Sequence, residues 1–358
     1  MKNTDQKAKG IESLNQEFRH YEQVNKDQVY HLSENPQEEE FDTDFEIKTI
    51  DFSLFHRDRP RFIEELGLAL AEIGFAIISN HGVDKDLYHQ AEGKIIEFFN
   101  TTIVEERMHY KAQRQGSVNQ GYFPIKTTTI IHPDLVEGWV FCRQAFNLDC
   151  DSGYQESDFW PLPGFEPFFR KIVLAHEKLI LPLMQSMLAY LGADPTAYDQ
   201  KLTKTNFGFR MNYYPPMNKN QLDSGGGRML GHEDIDLFTI LPSQSVEGLQ
   251  ILNRKNMKWI RLNPKFGDII LNTGDYMQRI SNDIFPSTTH RVSLPVDSNL
   301  MGKPRISFPM AIYVWEDEIL EVLPNLKNPK YESIRAEKFH TSITSKYYGD
   351  DYSADVKD

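Results

Sequence analysis

Apolar positions recur along this chain with two different periods, and the switch between them divides it. In "RFIEELGLALAEI" (61–73) they fall three and four residues apart, which predicts a helix. "KDLYHQAEGKIIEFFNTT" (85–102) and "GFEPFFRKIVLAHEKLILPLMQSMLAYLG" (164–192) predict two more, the second closing at a glycine suited to a C-cap. "FEIKTIDFSLF" (45–55) and "GFAIISNHG" (74–82) read as strands, whereas 108–165 is aromatic without a period and reads as irregular. After residue 204 the pattern shortens to short runs separated by turn residues: "FGFRMNYYPP", "HEDIDLFTILP", "GLQILN", "KWIRLN", "DIILNTGD", "STTHRVSLP" and "RISFPMAIYV". Strands so closely spaced, with no helix between them, predict an antiparallel barrel or jelly roll.

The same pattern sets expected boundaries. Residues 1–45 form an acidic polar extension. A single domain follows over 46–316, with a helical part (46–203) and a β core (204–316), and 317–358 reads as a charged helical tail. Within the extension, "SENPQEEEFDTD" is a solvated linker, but Ile11, Leu14, Phe18, Tyr21 and Val24 recur at helical spacing and predict a short amphipathic helix docked on the body.

Composition narrows the function classes. With 39 Lys and Arg against 52 Asp and Glu the net charge is -13, which argues against nucleic acid and for a small-molecule partner. No apolar run reads as a bilayer span and the start, "MKNTDQKAKG", lacks a secretory core, so a cytoplasmic protein without membrane contact is expected. Cys142 and Cys150 are expected to be free thiols. Nothing in the pattern specifies an oligomeric state.

Three His-x-Asp triplets are candidates for chemistry: at His56, His132 and His232. Residues i and i+2 of a strand share a face, so such a triplet can present an imidazole beside a carboxylate. Pro133 spoils the second triplet and the first sits in a turn-like stretch, leaving His232 with Asp234, while Glu233 points away. Asp236 would lie about 7 Å farther along the strand and receives no ligand role. "PSTTHRV" offers His290 as a second imidazole; two histidines and one carboxylate with open positions suit Fe(II). In "RIS", Arg305 and Ser307 share a face that can fork a carboxylate. In "RMNYYPP", Arg210, Asn212 and Tyr214 alternate onto one face with donors for an anion or keto acid. The loop "SGGGRML" lacks phosphate-loop spacing, and His81 reads as a turn residue. Each feature alone is ordinary; their order and common setting among strands carry the argument.

With these residues assembled, the chain resembles the isopenicillin N synthase-like family of Fe(II)/2-oxoglutarate-dependent non-haem oxygenases. The match runs from about residue 46 to 316, through "IKTIDFS", "GFAIISNHGV", "DFWP", "NYYPP", "HEDIDLFTIL", "GLQIL", "GDIILNTGDYMQRISN", "PSTTHRV" and "PRISF". The resemblance implies a mainly β fold with flanking α-helices, a distorted double-stranded β-helix. It implies that His232, Asp234 and His290 hold iron, that Arg305 and Ser307 hold the distal carboxylate of 2-oxoglutarate (2OG), and that Asn212 and Tyr214 position it. The implied cofactors are Fe(II), 2OG as co-substrate and O2, with ascorbate as an accessory reductant. The implied reaction oxidises a C–H bond of a small molecule by hydroxylation, desaturation or cyclisation, releasing succinate and CO2. Arg210, Arg143, Tyr122, Phe146 and Trp139 are candidates for a pocket holding an anionic or amphipathic substrate, although the last four read equally well as a packed loop. Two alternatives stay open here: an iron oxidase of the same fold that uses no 2OG, and a non-catalytic jelly-roll binding protein. A zinc hydrolase would leave the Arg-x-Ser clamp unexplained.

Overall fold

The two periods become two layers in the computed structural model, which describes residues 40–125, 135–216 and 228–348. The strands are β1 (Thr49–Asp51), β2 (Phe75–Ser79), β3 (Gln113–Gln115), β4 (Val118–Phe123), β5 (Glu137–Cys142), β6 (Asn206–Tyr214), β7 (Met229–His232), β8 (Phe238–Pro242), β9 (Leu249–Asn253), β10 (Lys258–Arg261), β11 (Ile269–Thr273), β12 (His290–Val292), β13 (Arg305–Ser307), β14 (Met310–Tyr313), β15 (Ile319–Leu320) and β16 (Ile334–Arg335). The large sheet runs β1-β2-β11-β8-β14-β6-β5-β4-β3, with β13 also pairing β6; the small sheet runs β10-β9-β12-β7. The main helices are α1 (Arg59–Ile73), α2 (Lys85–Thr101), α3 (Glu166–Tyr190), α4 (Asp275–Ile280) and α5 (Ala336–Tyr348).

Local sequence explains the helix ends. Asp58 accepts a hydrogen bond from the Arg61 amide at the start of α1, and Gly74, at φ 73°, turns the chain out of it. Gly67 lets α1 and α3 meet, because a Cβ there would lie 2.0 Å from the Tyr190 ring. The buried faces of both helices, including Phe62, Leu66, Leu70, Phe169 and Leu183, join the outer side of the large sheet in the main core. A second core, with Phe75, Ile77, Leu249, Ile251 and Ile270, fills the space between the sheets. Strand β6 shows the division most clearly. Its odd positions Phe207, Phe209 and Met211 belong to the main core, so period-two alternation turns Gly208, Arg210, Asn212 and Tyr214 to the interior between the sheets.

This is the distorted double-stranded β-helix expected, with several local differences. The segment 108–165 is not irregular throughout: β3, β4 and β5 extend the large sheet beyond β6. Gly121, at φ 119°, interrupts the alternation in β4 and hides its period. The strand expected over 45–55 shrinks to β1, and the strand expected over 232–242 is broken, with β7 ending at His232 and β8 starting at Phe238. The region beyond 316 is not a detached helical tail, because Leu320, Leu323 and Ala336 lie in the main core. Residues 40–45 likewise belong to the body: Phe41 bridges to Trp259, and Asp42 accepts hydrogen bonds from Asn253 and Asn256.

Contrary to expectation, one helix, α3, is long and apolar enough by length and composition to cross a membrane, although half of its length faces the protein core. Both cysteines are free, Cys142 buried and Cys150 exposed. The amphipathic stretch Ile11 to Val24, His132, and Ser224 to Gly227 fall outside the described residues.

Candidate active site

Strands β7 and β12 pair antiparallel with His232 directly opposite His290. Their rings lie 4.4 Å apart between centroids. Asp234 Oδ1 comes within 3.9 Å of His232 Nε2 and 3.8 Å of His290 Nε2, and one donor atom from each of the three residues falls within 4.8 Å of the others. The cluster opens to solvent on one side: the side chains of His232 and Asp234 are 34% and 24% exposed, that of His290 11%.

Asp234 reaches this position differently from the expectation of shared strand parity. It lies just beyond β7, in an irregular link whose backbone is held from α4: the Asp275 amide donates to the Asp234 carbonyl at 2.8 Å. Gly274 makes the close approach workable, since a Cβ there would lie 2.4 Å from Asp236 Oδ1 and 2.7 Å from the Asp234 carbonyl oxygen. Both Asp234 Oδ2 and His290 Nδ1, which face away from the cluster, are tied back. Asn272 Nδ2 donates to Asp234 Oδ2 at 2.8 Å, Thr239 Oγ1 lies 3.1 Å from the same oxygen, and His290 Nδ1 lies 3.1 Å from the Thr288 carbonyl. With Nδ1–H donating to that carbonyl, the lone pair of His290 is left on Nε2, facing the cluster. Burial alone would raise the Asp234 carboxyl, but the neighbouring His290 and His232 and the bonds from Asn272 and Thr239 outweigh it and hold it below the usual range.

Asp236 stands behind the cluster, not farther along a strand. It is fully buried, its Oδ2 lies 2.5 Å from Thr239 Oγ1, and burial, then the Asp234 charge, push its carboxyl well above the usual range. Glu233 points away, bound by Arg254 and by Thr289 Oγ1 at 3.1 Å.

Next to the triad, β13 pairs β6 with Arg305 opposite Tyr214 and Ser307 opposite Asn212. Arg305 is 1% exposed, and its Nη2 donates to Gln244 Oε1 at 2.7 Å while Nε and Nη1 have no hydrogen-bond partner. Its guanidinium lies 5.0 Å from the Tyr214 ring centre, and burial lowers its pKa from the ordinary value. Asn212 Nδ2 donates to Ser307 Oγ at 3.1 Å and Asn212 Oδ1 is left unpartnered. A buried cation with unused donors is costly unless an anion completes it. This cradle therefore fits a carboxylate.

The remaining pocket candidates separate. Arg210 faces the interior between the sheets, beside Asn212. Tyr122, Trp139 and Phe146 do not: they are packed in the aromatic core behind the large sheet, with the Tyr122 hydroxyl donating to Glu137 Oε2 at 2.6 Å. Arg143 is held by Glu177 at 2.6 Å and Asp149 at 3.5 Å. The interior position in β4 belongs to Phe123, the next residue along, whose ring lies 5.5 Å from the Arg210 guanidinium carbon. Gln244, Asn272 and Thr239 were not legible as site residues. Asn272 alone left a trace, as a polar residue inside an apolar strand.

Comparison with known proteins agrees with this geometry. Residues 205–331 match the 2OG-Fe(II) oxygenase superfamily, and residues 47–162 match the family of non-haem dioxygenase in morphine synthesis N-terminal regions. The chain belongs to the 2OG-Fe(II) oxygenase superfamily. It is 28% identical over 311 residues to DMR6-like oxygenase 2 of Arabidopsis thaliana, covering 84% of this chain and 83% of the relative. It is 28% identical to the 2-oxoglutarate-Fe(II) type oxidoreductase ppzC of Metarhizium majus, over 79% and 82% of the two chains. The fold resembles that of a full-length Neurospora crassa protein solved in complex with alpha-KG and thymine, with a TM-score of 0.73 at 22% identity over 84% of this chain and 97% of that one. This 2OG-Fe(II) oxygenase thus uses iron and 2OG, which speaks against a non-catalytic binding protein.

Proposed function

We propose that His232, Asp234 and His290 hold Fe(II), that Arg305 and Ser307 hold the distal carboxylate of 2OG with Asn212 and Tyr214 beside them, and that the enzyme oxidises a C–H bond of a small molecule by hydroxylation, desaturation or ring closure. The isopenicillin N synthase-like branch is the part of the superfamily its motifs favour. One observation carries the reading: a three-donor cluster open on one side adjoins a buried guanidinium with two unpartnered N–H groups. Bound iron, with 2OG and O2, supplies the oxidant for the C–H bond while 2OG is converted to succinate and CO2.

The chain's own residues do the rest. The Thr288 carbonyl holds His290 with Nε2 forward, and Asn272 holds Asp234 with Oδ1 forward, so the donors need no rearrangement to meet a metal. Gln244 fixes one end of the Arg305 fork and leaves Nε and Nη1 for an incoming carboxylate. Tyr214, packed with Val136 and Val292, closes the site to water at this end.

An anaerobic titration of the Fe(II)-loaded protein with 2OG tests the assignment. A visible charge-transfer band that saturates with 2OG in the native protein, and is lost in Asp234→Ala, is the expected result. Iron binding without a band would overturn the placement of 2OG.

A further inference from the structure

The interior face of the large sheet continues past the carboxylate clamp. Thr239, Ala311, Gly208 and Cys142 stand side by side on β8, β14, β6 and β5. Thr239 Oγ1 touches Asp234 at one end of this row. The middle is built from alanine and glycine, and neighbouring side chains close over the glycine: a Cβ on Gly208 would lie 3.2 Å from Val118, 3.4 Å from Val140 and 3.9 Å from Tyr313. At the far end Val118, Val140 and Cys142 form a small apolar cluster with Phe123 and Tyr313 packed on it. Two strand spacings, about 10 Å, separate Thr239 from Gly208, and Ala311 is the small residue between them.

Arg210 stands beside this row, one step along β6 from Gly208 and opposite Val140. Its guanidinium rests near the Phe123 ring, and Gly138 makes room for it: a Cβ there would lie 3.0 Å from Nη2 and 3.1 Å from Nε. Arg210 Nε is buried without a hydrogen-bond partner, and no carboxylate among the described residues forms an ion pair with this side chain. A cation held between an aromatic ring and a glycine, with an unused donor, lacks a counter-anion. Arg305 cannot share its anion, because that clamp is the place for 2OG.

We propose that Arg210 selects the substrate by its carboxylate, and that the rest of the substrate is an apolar body running from Arg210 past Ala311 toward the triad. The oxidised carbon is then several bonds away from the acid group. The proposal rests on the oxygenase reading for what happens to that carbon, but not for the anion preference.

The probes are phenylacetate, 3-phenylpropanoate and 5-phenylpentanoate with their uncharged amides. They are titrated anaerobically against protein carrying Fe(II) and saturating 2OG, and followed by ligand-observed NMR and by perturbation of the 2OG charge-transfer band. At least one acid should bind about 10-fold or more tightly than its amide, the scale of one charge-assisted hydrogen bond. Arg210→Met should erase that preference while the 2OG band still saturates. Arg210→Lys should keep part of the preference, and Arg210→Gln repeats the test should methionine disturb β6. The proposal is overturned if acids and amides bind alike, if no acid binds at millimolar concentration, or if the preference survives in Arg210→Met. Absence of the band in the native protein would be the different failure, that of the 2OG assignment.

Discussion

The proposed metal corner and the wall proposed to hold anions belong to the same pair of sheets, yet they are finished to different degrees. In the corner, donor atoms not aimed inward are already bonded: His290 Nδ1 to a carbonyl, Asp234 Oδ2 to Asn272 and Thr239. Along the wall, Arg305 Nε and Nη1, Arg210 Nε and Asn212 Oδ1 are buried and unused. On this proposal the corner is pre-organised by the protein alone, whereas the wall is completed by its ligands. The corner therefore tolerates loss of ligand, and the wall depends on it.

The sharpest way to break this comparison is to remove a triad donor. Asp234→Ala should cost iron binding and abolish turnover, while Asp236→Ala, which loses a group behind the cluster, should keep iron; equal iron loss in both, measured by metal analysis after gel filtration, would place Asp236 among the ligands. Arg305→Met comes next. It should weaken 2OG by on the order of 2 kcal/mol, roughly 30-fold, and leave iron affinity as it was, since the charge-assisted bonds lost belong to the wall. Supporting residues should give smaller effects that divide the same way. Asn272→Ala should lower iron affinity about 10-fold, and Gln244→Ala should raise the KM for 2OG several-fold with kcat held; an effect of Gln244→Ala on iron would contradict the division.

The mildest effect concerns acid. Burial pulls the imidazoles of His176 and His340 down to about 3. An unfolded chain takes up these protons near the ordinary histidine value of about 6.5, so stability is highest above it, falls as pH drops from there toward 3, and levels off below. His176 accepts from or donates to the Tyr88 hydroxyl at 3.0 Å. His176→Leu should flatten part of that slope in urea melts at a series of pH values, and an unchanged slope would show that other groups govern acid unfolding.

How much of this was visible in the chain follows from what each feature depends on. The strands after residue 204 were legible because they alternate cleanly and turn residues separate them, and β6 carries its two faces in its own spelling. The β3 to β5 segment was not, because Gly121 breaks the alternation and aromatic residues occupy both faces. The same break turns Phe123, not Tyr122, to the interior. Strand parity points to Asp234, but an irregular link places it, held by a backbone bond from Asp275 that no pattern of side chains could reveal. Gln244, Asn272 and Thr239 act through contacts across strands distant in sequence, which is information the linear chain does not contain.

The strand order of the large sheet has a consequence for how the protein is born on the ribosome. β1 and β2 lie at one edge and β3, β4 and β5 at the other, joined only through β11, β8, β14 and β6. The first half of the chain therefore emerges as two separate borders of a sheet whose middle has not yet been synthesised. It must wait, with apolar helix faces uncovered, until residue 313 is out and the late segment holding Leu320 and Ala336 can seal the core. Non-local closure of this kind is slow and exposes the chain to aggregation. For this protein, arrest of translation anywhere before the last quarter yields not half an enzyme but a client for chaperones.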